Sequence, residues 1–462
     1  MGLHRSVPAR RVRRATVLCV AAGLAILVAA PTSSAAVVQP ERSCTFDPAT
    51  GTLDLRGGVI FDDIDKSKPL TGYEMFRLEE STAADSPADL HLLSFCHAGE
   101  ATVLDVRHIV VEPTTDKVII TLHDERHPDM KGVPTVRITG PAPKRLLIGL
   151  SYTKRAKPFV IAPVTALGPE ELDVNGDNVA DVTLPDGQPW SLYLGWNSNE
   201  QFAFAPAYSG SVDLRKMNAD REAQSFLDLY HYAVTTPTTV YGPLNGAPVQ
   251  VRTGNGDDRI TTYGGGDLID TYGGDDVVSS GGGDDAIGLG AGHDVARAGA
   301  GNDRMSADQG VISWGSEREQ TGNDYLYGGT GSNYYALGGG FDRVVGGPGR
   351  DFVRTYYSRY RLALGAGDDI VGVWPNAKYG TVPPGFFRNR TILCGPGNDT
   401  IMYQRSFRPG TFPGHAPASC ERMNPRILPA YFPWSPGYYN ERHYYCGEAR
   451  SWCPNSSLWL TL

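Results

Sequence analysis

Aspartates recur at a fixed spacing in the middle of the chain, and their carboxylates are the side chains best suited to chemistry. Each follows a glycine-rich turn, and the first six, nine residues apart, are Asp258, Asp267, Asp276, Asp285, Asp294 and Asp303. Glycine corners can aim backbone carbonyls into a small concavity. Carbonyl and carboxylate oxygens are the hard ligands that calcium takes. The spacing therefore predicts a row of calcium sites.

The same spacing continues less regularly towards the C-terminus. After an insertion at about 307–318, aspartates return in the same setting at Asp324, Asp342, Asp351, Asp369 and Asp399. Asn333 stands where a further aspartate is expected, which removes one charge and weakens one predicted site. A unit at about 355–363 has lost the pattern altogether. These departures leave the number of bound ions open.

An apolar residue two positions after each of the first six aspartates indicates how the chain positions these carboxylates. A fixed period with one inward apolar residue and glycine corners is typical of a solenoid. A nine-residue unit makes half a coil, so alternate carboxylates stack on two edges, formed by Asp258, Asp276 and Asp294, and by Asp267, Asp285 and Asp303. Adjacent coils lie about 4.8 Å apart. Two carboxylates at that distance repel by roughly 3 kcal/mol at an effective dielectric constant of 20, and a cation between coils converts the repulsion into ligation.

Units such as TGNGDDRIT and TYGGDDVVS resemble the nonapeptides of the repeats-in-toxin (RTX, haemolysin-type) calcium-binding family. The resemblance covers about 253–402. It implies a parallel β-roll that binds multiple calcium ions and folds outside the cell. In such proteins the array often accompanies another domain that carries the activity.

A second candidate calcium loop lies upstream, in the stretch DVNGDNVAD at 173–181. Its oxygen-bearing residues occupy positions one, three, five and nine of a calcium-loop pattern, and they are Asp173, Asn175, Asp177 and Asp181. The stretch resembles the loop of FG-GAP (integrin-type propeller) repeats, but it occurs only once. An Asx-rich turn without an ion is the alternative interpretation.

The first 36 residues have the pattern of a secretory signal peptide. Five arginines precede an apolar run from Val17 to Ala30, and small residues follow at 34–36. Arg13-Arg14 also leaves a twin-arginine export route open. Removing this segment changes the net charge from −9 to about −14. That balance disfavours nucleic acid and anionic membranes as partners and suits a cation-loaded extracellular protein, secreted or displayed at the cell surface.

Six cysteines remain once Cys19 leaves with the signal peptide, and an even count in an exported chain predicts disulfides. The order along the chain favours Cys44–Cys96, Cys394–Cys420 and Cys446–Cys453, one of fifteen possible connectivities.

The predicted architecture is all-β. Runs of β-branched and aliphatic residues separated by turns predict an antiparallel β domain over 37–236, interrupted by an amphipathic helix near 218–233. We expect 237–250 to be a linker or a cap at the start of the solenoid, 251–402 to form the β-roll, and 403–462 to be a disulfide-pinned, aromatic-rich C-terminal cap.

The sequence contains neither HExxH nor GxSxG, the motifs of zinc proteases and of nucleophile-elbow lipases. We therefore predict a secreted, non-enzymatic calcium-binding protein with no membrane span after signal removal. Two alternatives stay open: an exported hydrolase of unrecognised type in 37–236, and an adhesin or glycan-binding surface protein that uses the β region or the aromatic tail.

Overall fold

The computed structural model describes most of the chain between residues 43 and 424. The described ranges are 43–61, 73–80, 89–92, 96–124, 135–152, 164–194, 211–228, 237–308, 321–373, 390–403 and 419–424, with gaps of one to three residues at 58, 103–104, 116, 141–142, 144, 175, 186, 188, 223–224, 356–358 and 421. The predicted signal peptide, the insertion after residue 308 and most of the C-terminal cap lie outside these ranges.

Every regular element among the described residues is a strand. The first eighteen precede the aspartate repeats, and they are β1 (Ser43–Asp47), β2 (Thr52–Arg56), β3 (Val59–Phe61), β4 (Tyr73–Glu80), β5 (Asp89–Leu92), β6 (Cys96–Thr102), β7 (His108–Glu112), β8 (Lys117–Asp124), β9 (Thr135–Ile138), β10 (Arg145–Tyr152), β11 (Val164–Ala166), β12 (Glu171–Asp173), β13 (Val182–Thr183), β14 (Ser191–Leu194), β15 (Ser211–Asp213), β16 (Ser225–Asp228), β17 (Thr239–Tyr241) and β18 (Val249–Arg252).

The repeats contribute most of the later strands, usually three or four residues that follow each aspartate. They are β19 (Arg259–Thr261), β20 (Leu268–Asp270), β21 (Val277–Gly282), β22 (Ala286–Gly288), β23 (Val295–Ala300), β24 (Arg304–Ser306), β25 (Thr321–Gly322), β26 (Tyr325–Thr330), β27 (Tyr334–Ala336), β28 (Gly339–Pro348), β29 (Phe352–Thr355), β30 (Arg359–Ala366), β31 (Ile370–Val373), β32 (Arg390–Leu393), β33 (Thr400–Tyr403) and β34 (Arg422–Asn424).

Two parallel sheets stack these strands into a solenoid. In the first sheet β15, β17, β19, β21, β23, β26, β28, β30 and β32 pair in succession. In the second sheet β16, β18, β20, β22, β24, β27, β29, β31 and β33 do the same. Val278 lies beside Ile260, eighteen residues earlier, so two nonapeptides make one coil and successive units alternate between the sheets. The predicted parallel β-roll is confirmed.

The core is a column of the apolar residues that the repeat places two positions after each aspartate. Ile260, Ile269, Val278 and Ile287 are each at most 1 % exposed. Fully burying a side chain of this size contributes about 1.5–3 kcal/mol. The apolar positions therefore hold the two sheets together while the aspartates occupy the corners between them.

The region before the repeats differs from the predicted antiparallel domain. Antiparallel pairs are limited, within the described part of 43–241, to the strands β1 to β6 and to the β11–β12–β13 meander. The pairs β2–β7–β9–β13 and β4–β8–β10–β14–β16 are all parallel. The prediction is wrong for these pairs, because half-buried strands show the same alternation whichever direction their neighbours run.

The predicted helix near 218–233 is also wrong in its described part. Ala219 forms an isolated bridge with Trp190, and Ser225–Asp228 is a strand between β14 and β18. Pairing with both neighbours outweighs the helical spacing of the apolar residues. Among the described residues, no helix is long and apolar enough to cross a membrane.

One predicted disulfide is confirmed: Cys394 is bonded to Cys420, 26 residues later. Cys44 is also disulfide-bonded. Its predicted partner, Cys96, lies on β6, which packs beside β1, but the side chain of Cys96 is outside the described set, so this pairing stays a prediction. Cys446 and Cys453 lie outside the described residues.

Candidate calcium-binding edges

The repeat aspartates form two hydrogen-bonded ladders, one on each edge of the solenoid. On the first edge, Oδ1 of Asp276 accepts the backbone N–H of Asp258 at 2.8 Å, and Oδ1 of Asp294 accepts that of Asp276 at the same distance. The first edge continues through Asp324 and Asp342. Thr238, in the segment before the repeats, supplies the N–H for Asp258. The predicted alternation of carboxylates between two edges is thus confirmed.

The second edge repeats the same geometry. Asp285 accepts the N–H of Asp267 at 2.8 Å, and Asp303 accepts that of Asp285 at 2.9 Å. Its remaining members, each bonded to the one before, are Asn333, Asp351, Asp369 and Asp399. The insertion after residue 308 lengthens one coil to a 30-residue step without breaking either ladder, because the rungs to Asp324 and Asn333 still form.

Only one oxygen of each carboxylate is used in these rungs. The second oxygen, Oδ2, is buried and has no hydrogen-bond partner in ten ladder aspartates, which are Asp258, Asp267, Asp276, Asp285, Asp294, Asp303, Asp324, Asp342, Asp351 and Asp369. A buried polar atom without a partner is costly, and a buried anion more so. A repeated orphan oxygen of this kind indicates that another ligand belongs beside it.

Glycine carbonyls supply further oxygens at the same corners. The carbonyl oxygen of Gly256 lies where a Cβ on Gly274 would sit, and that of Gly274 lies where a Cβ on Gly292 would sit. Gly292 has a φ of +146°, so both its backbone conformation and the space around it require glycine. A column of carbonyl oxygens therefore runs along the solenoid axis beside the carboxylates.

Burial raises the pKa of the ladder carboxyls. The pKa rises to about 6 for Asp258, Asp324 and Asp369, to about 7 for Asp285, Asp294 and Asp303, to about 8 for Asp267 and Asp351, and to about 9 for Asp276 and Asp342. Loss of hydration is the largest cause, and for several of them the charge of a neighbouring carboxylate adds to it. A cation in the corner would lower these pKa values again, since opposite charge favours the ionised form.

The first position of the repeat carries hydroxyl groups that sequence reasoning missed. Thr262 donates to the carbonyl of Ser280 at 2.9 Å, Thr271 to that of Leu289 at 2.7 Å, and Ser280 to that of Ala298 at 3.0 Å. Thr253, Thr262, Thr271 and Ser280 recur every nine residues, and this recurrence was the available signal. These buried hydroxyls tie consecutive coils together next to the carboxylates.

A second, exposed ladder runs through the fifth position and was also missed. Asp257 accepts the N–H of Asp275 at 2.9 Å, and Asp275 accepts that of His293 at 2.8 Å. Asp284 accepts the N–H of Asn302 at 2.7 Å. Here the later coil donates to the earlier one, the reverse of the buried ladder. Because these carboxylates are exposed, they serve as matched controls for the buried ones.

The two departures noted in the sequence alter one site on each edge. Asn333 takes its place in the second ladder as an amide, accepting the N–H of Asp303 at 3.0 Å. The register places Tyr360 one coil after Asp342, in the ladder position of the first edge. Its side chain is fully buried, so the unit at 355–363 keeps its place in the coil while its carboxylate is replaced by a phenol ring.

The upstream loop at 173–181 uses its carboxylates differently. Asp173 accepts the backbone N–H of Gly176 through Oδ1 at 2.6 Å and that of Asn178 through Oδ2 at 2.8 Å, while Asp181 accepts that of Val174 at 2.8 Å. These bonds close an Asx-type turn between β12 and β13. Asn175 lies outside the described residues. Calcium ligation by this loop stays a prediction.

The donor set at the ladder corners fits calcium. Among the described residues, no three Asp, Glu, His or Cys side chains converge on one point. Each corner instead combines an orphan carboxylate oxygen with glycine carbonyl oxygens. Such a mixed, all-oxygen shell is the type that calcium takes, with six to eight ligands.

The segment that carries the two aspartate ladders is similar to a known family of repeats. RTX calcium-binding nonapeptide repeats match the chain in four copies, at 252–287, 289–311, 320–344 and 337–371. Comparisons with curated proteins and with solved structures returned no match. Repeats of this type bind several calcium ions per array, which agrees with the two ladders. Residues 252–371 therefore carry RTX-type calcium-binding nonapeptide repeats.

Proposed function

We propose that this chain is an exported calcium-binding protein whose repeat array folds when it meets calcium outside the cell. The observation that carries the proposal is the column of buried, unpartnered Oδ2 atoms on both edges. A carboxyl group whose pKa is about 6 in the fold and 3.8 when free destabilises the calcium-free fold by about 3 kcal/mol at pH 7.

The other nine ladder carboxyls are shifted in the same direction, so the calcium-free array loses stability as the pH rises to neutral. Calcium binding offsets this loss and contributes to the folding free energy. Sites in extracellular modules bind calcium at about 0.1–1 mM. Folding is then suppressed where calcium is scarce and completed where it is abundant. The arginine-rich, apolar N-terminal segment and the even cysteine count support export.

Two measurements test this proposal, the first of them on the chain that starts at Val37. Far-UV circular dichroism in EGTA and during calcium titration is expected to show a cooperative gain of β structure. A spectrum unchanged by calcium would contradict ion-driven folding. Export is tested by expressing the full chain and a version without residues 1–36, with the expectation that only the full chain reaches the medium.

We assign no catalysis to the chain. Raised carboxyl pKa values mark candidate catalytic acids, but every such group among the described residues lies in the repeats, between 258 and 369. The hydrolase alternative for 37–236 therefore gains no support from the described part of that region.

Glycan binding has one observation in its favour, but it lies on the repeats and not on the β region or the aromatic tail, where the adhesin alternative was predicted. On the outer face of the first sheet, Arg297 lies 5.1 Å from the ring of Tyr327, and Arg343 lies 4.9 Å from that of Tyr325. Arg361 continues the row, 5.7 Å from the ring of Phe341. Aromatic faces stack on sugar rings, and guanidinium groups bind carboxylates.

An acidic polysaccharide is the glycan that this row fits. Retention of the protein on immobilised alginate, in calcium, is expected to fall for the double variant R343Q/R361Q. Arg259→Gln, on the same sheet, is the matched control and should be retained like the wild type. Equal retention of all three proteins would remove this alternative.

A further inference from the structure

Asp308 is a buried carboxylate outside the ligand position of the repeat. It occupies the second position of the nine-residue unit that the insertion interrupts and whose ladder aspartate is Asp324. Most units have glycine at this second position. Its side chain is 5 % exposed. Within the described part of the chain, it is the one carboxylate with both oxygens buried and outside any hydrogen bond of standard geometry. The nearby backbone N–H groups of Gly339 and Gly322 only partly offset the burial that raises its pKa.

The charged groups that act on Asp308 are ladder aspartates of the first edge. Asp324, in the same interrupted unit, has the strongest electrostatic interaction with it, followed by Asp294. Asp308 in turn acts on Asp342, one coil beyond Asp324. The rung from the N–H of Asp324 to Asp342 is 3.3 Å, whereas the other rungs are 2.7–3.0 Å. The longest rung of the ladder therefore lies beside this extra carboxylate.

Gly338 shows where the carboxylate points. Gly338 occupies the second position of the unit that lies one coil later. A Cβ atom on Gly338 would overlap Oδ2 of Asp308. In the regular coils that space is taken by a backbone carbonyl, as where the carbonyl oxygen of Gly281 faces Gly299. At this one corner an anionic oxygen thus replaces a neutral carbonyl oxygen in the axial column.

We propose that Asp308 is a second carboxylate ligand for the cation held at Asp324, which makes this corner the tightest divalent-cation site of the array. The inference rests on calcium binding by the repeats and deepens it. Regular corners offer one buried carboxylate each, and this corner offers two, with glycine carbonyls completing the shell. In calcium loops of fixed geometry, the number of charged ligands is a main determinant of affinity. We expect the ion here to dissociate at least about tenfold more slowly than the others.

The test is stopped-flow release of calcium to a fluorescent chelator from the calcium-loaded chain, together with the number of bound ions from calorimetry. The wild type is expected to show a slow phase of one ion. In Asp308→Asn, whose side chain is nearly the same size, this phase should disappear or accelerate at least tenfold. Asp285→Asn, at a corner with a single carboxylate, should lose a faster ion and keep the slow phase.

Circular dichroism at saturating calcium verifies that each variant is folded. Retention of the slow phase at its wild-type rate in Asp308→Asn would overturn the inference. Were that variant not to fold, Asp324→Asn leaves Asp308 in place and must lose the same slow ion; if it keeps that ion, the pairing is wrong. A wild type that binds no calcium would instead refute the proposed function, so the two failures are distinguishable.

Discussion

Replacing one ladder aspartate by asparagine separates its structural role from its ionic role. In Asp276→Asn the Oδ1 acceptor for the N–H of Asp258, at 2.8 Å, is kept, while the orphan Oδ2 is replaced by a neutral amide nitrogen. We expect the calcium-free fold to become more stable and calcium binding to become weaker. Asn333 shows that the ladder accommodates an amide.

The magnitude follows from the pKa of Asp276, which burial raises to about 9. In the unfolded chain the pKa of this group is near 3.8. The free energy of unfolding is therefore about 4 kcal/mol lower at pH 7 than at acid pH. The amide nitrogen of asparagine, buried without a hydrogen-bond partner, destabilises the fold by about 1–3 kcal/mol. The net expected stabilisation of the calcium-free fold is therefore about 1–3 kcal/mol.

The pH dependence has a definite sign. A raised carboxyl pKa means that the fold binds more protons than the unfolded chain, so stability is full below about pH 4 and is lost as the pH rises through 6 to 9. In EGTA the wild-type array is expected to gain β structure on acidification. Asp276→Asn should shift the midpoint to higher pH.

The assay is circular dichroism against pH in EGTA, and against calcium at pH 7.5. Asp275→Asn is the matched control, because this adjacent carboxylate is exposed and lies outside the buried ladder. We expect the control to behave like the wild type in both titrations. The reasoning is refuted if Asp276→Asn leaves both midpoints unchanged, or if the control shifts them equally.

Three further predictions test other parts of the site. Gly292→Ala should abolish calcium-dependent folding, because its Cβ would collide with a carbonyl one coil earlier. In the control Gly282→Ala the nearest atom to the new Cβ is 3.6 Å away, so this variant should fold like the wild type. Equal circular dichroism of the two variants would contradict this prediction. Replacing both Cys394 and Cys420 by alanine should lower the free energy of unfolding in calcium by about 3 kcal/mol, measured by urea denaturation, and no change would exclude a stabilising role. Asn333→Asp should raise the number of bound calcium ions by one in calorimetry, and an unchanged count would mean that this corner lacks other ligands.

The sequence predicted the ladders well because their information is local and periodic. Each aspartate, its glycine corner and its apolar residue fall within nine positions, and repetition then dictates the stacking. The two edges, the eighteen-residue coil and the buried positions of Ile260 and Val278 follow from that period alone. The ligand role of the individual aspartates stays a prediction.

Features that depend on a neighbouring coil could not be predicted in this way. Tyr360 looks like a lost repeat in the sequence, yet it lies in the ladder position one coil after Asp342. Asp308 resembles any polar residue at the start of an insertion until Gly338 and Asp324 are placed around it. The parallel pairing upstream of the repeats was missed for the same reason, since strand direction is decided by long-range contacts and not by the pattern within a strand.

The two oxygens of each carboxylate have different roles, and this difference gives the proposed coupling of folding and ion binding a physical basis. Oδ1 holds the N–H of the preceding coil, so a coil cannot dock without placing the carboxylate in the corner. Once it is there, Oδ2 is buried without a partner and the charge destabilises the coil. A cation that binds Oδ2 removes this penalty for the coils on both sides of it, which favours binding at the next corner. The proposed mechanism therefore predicts cooperativity along each edge from the geometry of a single aspartate, repeated at every coil, and predicts that it weakens where Asn333 or Tyr360 interrupts the series.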